Sequence, residues 1–142
     1  MRLATISIEG KEQCAIVFYE GLLPLEILNS RLDEVWPTDL FEIIKQGKLD
    51  DLKDFLREKE EMILLKTSKE LIPHQEVVYG PLYRYPSKIW GIGLNYVDHA
   101  FDLNEVAPNT EPASFMKPDT TIIGYGDSIE IPLQSNRTTA EA

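Results

Sequence analysis

Between residues 71 and 87 three prolines, Pro73, Pro81 and Pro86, fall within one stretch that also holds Gly80. Proline has no backbone N–H and a fixed φ, so neither a continuous helix nor an interior strand can run through this stretch. The 142-residue chain is thereby divided before any element is assigned. We expect an N-terminal domain over residues 1–70, a linker over 71–87, and a second region over 88–142. A chain of this length has little burial to spare for two independent cores, so the first region should carry most of the core.

The first region alternates from Met1 to Ile8, with Leu3, Thr5 and Ser7 on one face and Ala4, Ile6 and Ile8 on the other. A turn at Glu9-Gly10-Lys11 and a second apolar run from Gln13 to Tyr19 predict a β-hairpin. Gly21 and Pro24 punctuate the next piece of chain. Thr38 is the expected N-cap of a short helix with Leu40, Phe41, Ile43 and Ile44 on it, ended by Gly47. A second helix is predicted from Leu49, Leu52, Phe55 and Leu56, the helical pair covering residues 38–61. From Met62 to Leu65 the pattern returns to apolar and extended. Beyond the linker, strands are expected at Lys88–Ile92, Ala113–Met116 and Ile129–Leu133, with Gly124-Tyr-Gly126-Asp127 as the turn before the last.

Twenty-four acids against 14 bases give a net charge of −10. That argues against nucleic acid, whose phosphate backbone needs a basic face, and against anionic membrane surfaces. No apolar run approaches the ~18 residues of a spanning helix. The single cysteine, Cys14, has no internal partner and sits in an apolar stretch, which fits a small buried hydrophobe in a reducing, cytoplasmic setting.

Gly91-x-Gly93 suggests a dinucleotide loop, but position 96, where that motif needs its third glycine, is Tyr96. His99 has Asp102 three residues on. If this segment is helical the two share a face, and the carboxylate can fix the ring's tautomer for general-base work. The spacing alone suits a proton-transfer pair or a structural histidine beside acidic neighbours.

Three blocks are more specific: Gly93-Leu-Asn-Tyr-x-x-His99, Pro112-x-x-Phe-x-Lys117-Pro118 and Gly124-x-Gly-Asp127-x-Ile-x-Ile-Pro132. Their order and spacing resemble the opening of the fumarylacetoacetate hydrolase family's catalytic domain, and residues 1 to about 70 resemble the small domain that precedes it in many bacterial members. The resemblance implies an α+β protein: a small β-rich N-terminal domain with a short helical pair, then the first strands of a mixed β-roll. It implies a Mg²⁺ (or Mn²⁺) enzyme of 2-oxo or β-diketo acids or their enols, working by C–C hydrolysis, decarboxylation or enol–keto isomerisation, as in 2-hydroxyhepta-2,4-diene-1,7-dioate isomerases, and often homodimeric.

Under that resemblance His99 and Asp102 form the acid–base dyad, Asp102 standing where the family has the longer Glu. Lys117 matches a lysine near the site and Glu141 the first of a metal-binding glutamate pair. The remaining ligand positions fall past residue 142, so the chain is expected to be an N-terminal fragment that does not hold the metal by itself. The alternative is a non-catalytic truncated relative or an interaction module.

Overall fold

The computed structural model describes residues 1–93, 100, 106, 111–136 and 138. The chain is α+β, with small antiparallel sheets and three helices among the described residues. It separates into two compact units, Met1–Tyr83 with Ile123–Ala142, and Arg84–Ile122.

In the first unit, β1 (Leu3–Ile8) and β2 (Lys11–Val17) form the expected hairpin, paired from Leu3↔Ile16 to Ile8↔Lys11. Its loop is the two residues Glu9 and Gly10, both at positive φ (51° and 79°). That is the type I′ geometry whose twist matches the flanking strands, and glycine carries the second position without steric cost. A third strand, β3 (Leu22–Pro24), pairs with β2 to give the order β1-β2-β3.

Helix α1 (Leu25–Leu32) starts directly after Pro24. Gly21 and Pro24 punctuate the sequence here, yet Leu25 and Leu28 lie three apart and both are fully buried, and Pro24 stands at the cap, where its missing N–H costs no helical bond. The Asn29 side chain holds the chain after α1 at both ends of its amide: Nδ2 donates to Trp36 O at 2.7 Å, and Oδ1 accepts from Trp36 N at 2.9 Å.

Helix α2 (Leu40–Lys45) is capped by Asp39, one residue beyond the expected Thr38. The Asp39 carboxylate accepts from Glu42 N at 2.9 Å, whereas Thr38 O is engaged by Cys14 N at 2.7 Å. Gly47, at φ 66°, ends it as expected. Helix α3 (Leu49–Thr67) runs six residues past the expected end at 61. The apolar run at Met62–Leu65, expected to be extended, is helical because Ile63 continues the buried stripe of Leu52 and Leu56, whereas Leu65 points to solvent.

The main core joins Cys14, Ile16 and Leu23 of the sheet to Leu25, Leu28, Ile43, Leu52, Leu56 and Ile63 of the helices. The other face of the sheet holds a smaller cluster of Ile6, Ala15 and Leu22, covered by Ile72, Val77 and Tyr79. Residues from the proline-punctuated stretch close both sheet edges. Leu22 and Ile72 exchange backbone bonds of 2.9 and 2.8 Å, and Ser7 N and Thr5 O bond Val78 O and Gly80 N. Strand edges that would otherwise recruit another chain are covered in this way. The chain's other histidine, His74, places Nε2 3.1 Å from Phe18 O and 3.2 Å from Tyr19 O, where its N–H pins the β2–β3 loop.

Burial pushes the Cys14 thiol up to about 12, helped by the Asp39 charge, so it is a core side chain and not a nucleophile at neutral pH. The turn at Gly124–Asp127 forms as expected: Asp127 N donates to Gly124 O at 3.2 Å, and the Asp127 carboxylate accepts from Gly124 N at 2.7 Å. The strand expected at Ile129–Leu133 does not form. Ile129, Ile131 and Leu133 are exposed, no ladder partner lies beside them among the described residues, and Pro132 removes one donor from any such ladder. No helix is long and apolar enough to cross a membrane among the described residues.

Candidate functional site

The second unit is built on a long-range antiparallel pair, β4 (Ile89–Gly93) with β5 (Ala113–Lys117). Both strands lie at the sequence positions expected for them. Their register, Ile89↔Lys117 through Gly91↔Phe115 to Gly93↔Ala113, places the glycines of Gly91-x-Gly93 opposite Phe115 and Ala113.

The register explains the glycines rejected as a dinucleotide loop. A Cβ at Gly91 would lie 2.3 Å from Phe115 Cζ, inside any tolerable contact, so the ring occupies the space a side chain would take. An aromatic laid across a cross-strand glycine fixes register and shields backbone.

The same register places Lys117 at the end of β5, on the face shared with Ile89 and Phe115, and its Nζ lies 5.7 Å from the Phe115 ring centroid. Pro118 comes next, and Thr121 closes a short turn by donating Oγ1–H and N–H to Pro118 O, at 2.7 and 3.1 Å. Arg84 Nη1 donates to Ile122 O at 3.2 Å and ties the two ends of the unit.

A cleft of about 500 Å³ opens at this end of the hairpin, lined by residues 86–89 and 116–119. Its charged groups are Lys88, Lys117 and Asp119, a net positive lining in a strongly acidic chain. The volume falls within the usual range of small-ligand sites. Lys88 did not stand out in the sequence: only the strand register reveals that the residue before β4 comes to the end of β5.

Of the four residues singled out from sequence, Lys117 is placed at this cleft. His99, Asp102 and Glu141 lie outside the described residues. Among the described residues no group of three or more His, Cys, Asp or Glu side chains is arranged to hold a metal ion. What the described arrangement offers is a cleft with two lysines and one aspartate at the end of the hairpin.

Residues 88–142 match the family model described as fumarylacetoacetate hydrolase, C-terminal. An uncharacterized protein of Archaeoglobus fulgidus is 52% identical over 56 residues, covering 39% of this chain and 22% of that protein. A mitochondrial oxaloacetate tautomerase of Arabidopsis thaliana is 41% identical over 51 residues, 36% of this chain and 22% of the relative. A mitochondrial oxaloacetate tautomerase of Homo sapiens is 35% identical over 65 residues, 46% of this chain and 20% of the relative. The matched stretches thus span about a fifth of the length of these curated relatives. The β4–β5 hairpin, its Phe-x-Lys-Pro end and the segment after it lie within the matched residues, so over residues 88–142, less than half of its length, the chain is similar to the fumarylacetoacetate hydrolase family.

Proposed function

We propose that residues 88–142 open the catalytic domain of an enzyme that interconverts the keto and enol forms of a 2-oxo acid such as oxaloacetate. The observation carrying this reading is the family match over 88–142, together with similarity over part of the chain to relatives named oxaloacetate tautomerases. The cationic cleft at Lys117 supports it, since the substrate is anionic.

In this reading the Lys117 ammonium binds a substrate carboxylate. His99, its tautomer fixed by Asp102, takes the proton from the carbon next to the keto group, and negative charge develops on the keto oxygen. Delivery of a proton to that oxygen gives the enol, and the reverse sequence gives the ketone. A positioned base of this kind contributes about 10²–10⁴-fold. C–C hydrolysis and decarboxylation also place negative charge on the keto oxygen, with an acyl group passing to water or CO2 leaving the carbon in place of the proton, and belong to the same proposal.

A divalent cation, Mg²⁺ or Mn²⁺, held in part by Glu141, would add charge stabilisation at the keto oxygen. Glu141 is a single carboxylate, short of the six oxygens such a cation takes, and the described residues add no cluster. The proton transfer above rests on the chain's own groups. Residues 1–70 as a separate N-terminal domain, a β-roll built onward from β4 and β5, a homodimer and a cytoplasmic location complete the proposal. The Arabidopsis and human relatives are named as mitochondrial, so fractionation of the source cells bears on the last point.

The test monitors the decay of enol oxaloacetate by ultraviolet absorbance in the protein that carries this chain. Acceleration that is lost in His99→Ala supports the proposal. An unaccelerated decay would favour the non-catalytic reading of the fold.

A further inference from the structure

On one face of the β4–β5 hairpin the register brings together Ile89, Gly91 and Gly93 of β4 and Ala113, Phe115 and Lys117 of β5. The Phe115 ring spans both glycines. A Cβ at Gly91 would lie 2.3, 2.6 and 2.8 Å from Cζ, Cε2 and Cε1, and one at Gly93 would lie 3.7 Å from Cε1. The first set of distances admits no side chain and the second is ordinary contact, so Gly91 is the seat of the ring. On the same ring, Lys117 Nζ stands 5.7 Å from the centroid. That is within the ~6 Å over which a ring face attracts an ammonium.

A lysine carries its charge on a flexible four-carbon stem, so the ammonium is placed by what it touches. Lys117 forms no ion pair among the described residues, Asp119 of the same cleft included. The ring therefore favours one placement of the ammonium over the others, and the ring is itself fixed by the backbone of β4. Trp90, the other aromatic of the hairpin, lies on the opposite face by alternation.

On the reading of Lys117 as the group that binds the substrate carboxylate, we infer that Phe115 is its positioning residue: seated on Gly91, it fixes the Lys117 ammonium through the electrons of its ring face. The Gly91-x-Gly93 pair then serves the site at one remove, by making room for a ring. Phe115 is not among the residues lining the cleft and acts through Lys117. A cation placed in advance meets the carboxylate equally in ground state and transition state, so the effect falls on KM and not on kcat.

Fluorinated phenylalanines at position 115 test this, since fluorine withdraws electrons from the ring face while nearly keeping the shape. In the protein that carries this chain, KM for enol oxaloacetate should rise from phenylalanine through 4-fluoro- to 3,4,5-trifluorophenylalanine, by about two- to fivefold in all, with kcat kept. In a Lys117→Met background the series should be flat. In the 142-residue chain, NMR should find the Lys117 Cε protons shifted upfield by the Phe115 ring current. Phe115→Leu should return them to ordinary shifts, and Phe115→Tyr, which keeps the ring should leucine loosen the hairpin, should retain the displacement. A KM indifferent to fluorination, the same rise in Lys117→Met, or ordinary Cε shifts in wild type overturns the inference. Without turnover in wild type it is the reading of the reaction that fails, and the Cε shifts alone then uphold or overturn the contact.

Discussion

At the scale of single residues, the hairpin of the second unit turns on one contact, Phe115 lying where Gly91 would carry a Cβ. Gly91→Ala forces the ring off the strand and should loosen the hairpin, measured as faster amide exchange in β4 and β5. Phe115→Ala in the same chain removes the clash, so the double variant should lose less than the two single effects summed. Additive losses would show that the ring and the glycine do not meet. Cys14 supplies a prediction in pH. Its thiol is raised by burial from 9.0 to about 12, so the folded chain keeps a proton that the unfolded chain loses. That contribution is fully present below pH 9 and is lost as pH rises from 9 towards 12. Chemical denaturation across this window should show wild type losing stability more steeply than Cys14→Ala, and parallel curves would contradict the burial. His99 was singled out through the block that contains it and Asp102 by its spacing from His99, because His-x-x-Asp alone suits a structural histidine equally well, and both lie outside the described residues. Lys117 was legible in the same way, whereas Lys88 was not, because nothing in the residues near position 88 states that Ile89 will pair with Lys117.

At the scale of elements, α3 decides the stability of the first unit. Its buried stripe is Leu52, Leu56, Ile63 and Thr67, while Phe55 is half-buried against Trp36, with ring centroids 5.3 Å apart. Leu52→Ala should therefore cost about 2–5 kcal/mol, and Phe55→Ala less. The reverse order in urea denaturation would mean that the helix is rotated about its axis. Leu65→Asp, at an exposed position, separates helix from strand for the last turns: it should be nearly neutral, where a strand packed on the core would not tolerate it. The β1–β2 hairpin was plain in the sequence because alternation has a period of two and Glu9-Gly10 supplies a turn both residues can adopt. The end of α3 was not, because four consecutive apolar residues, Met62 to Leu65, satisfy a strand and a helix equally, and only the position of Ile63 relative to Leu56 breaks the tie. Helix α1 was hidden by Gly21 and Pro24, which mark a boundary without saying that a helix begins at it. Ile129, Ile131 and Leu133 alternate like a strand, but alternation does not supply a pairing partner.

At the scale of the whole molecule, the two units differ in what they carry. The first, Met1–Tyr83 with Ile123–Ala142, has the core and covered sheet edges. The second, Arg84–Ile122, has the family-matched hairpin and the cationic cleft. A metal affinity resting on Glu141 as sole family-matched ligand should be no tighter than millimolar in the 142-residue chain, and calorimetric titration with Mg²⁺ and Mn²⁺ checks this; a tighter site would require ligands from elsewhere in the chain. We propose that the family-matched segment carries 2-oxo acid chemistry through His99 and Lys117. The most direct test is enol oxaloacetate tautomerisation in the protein that carries this chain, with kcat and KM measured for wild type, His99→Ala and Lys117→Met. The expected result is a fall in kcat of about 10²–10⁴-fold for His99→Ala and a rise in KM for Lys117→Met with the fold intact. Wild-type kinetics in both variants would contradict it.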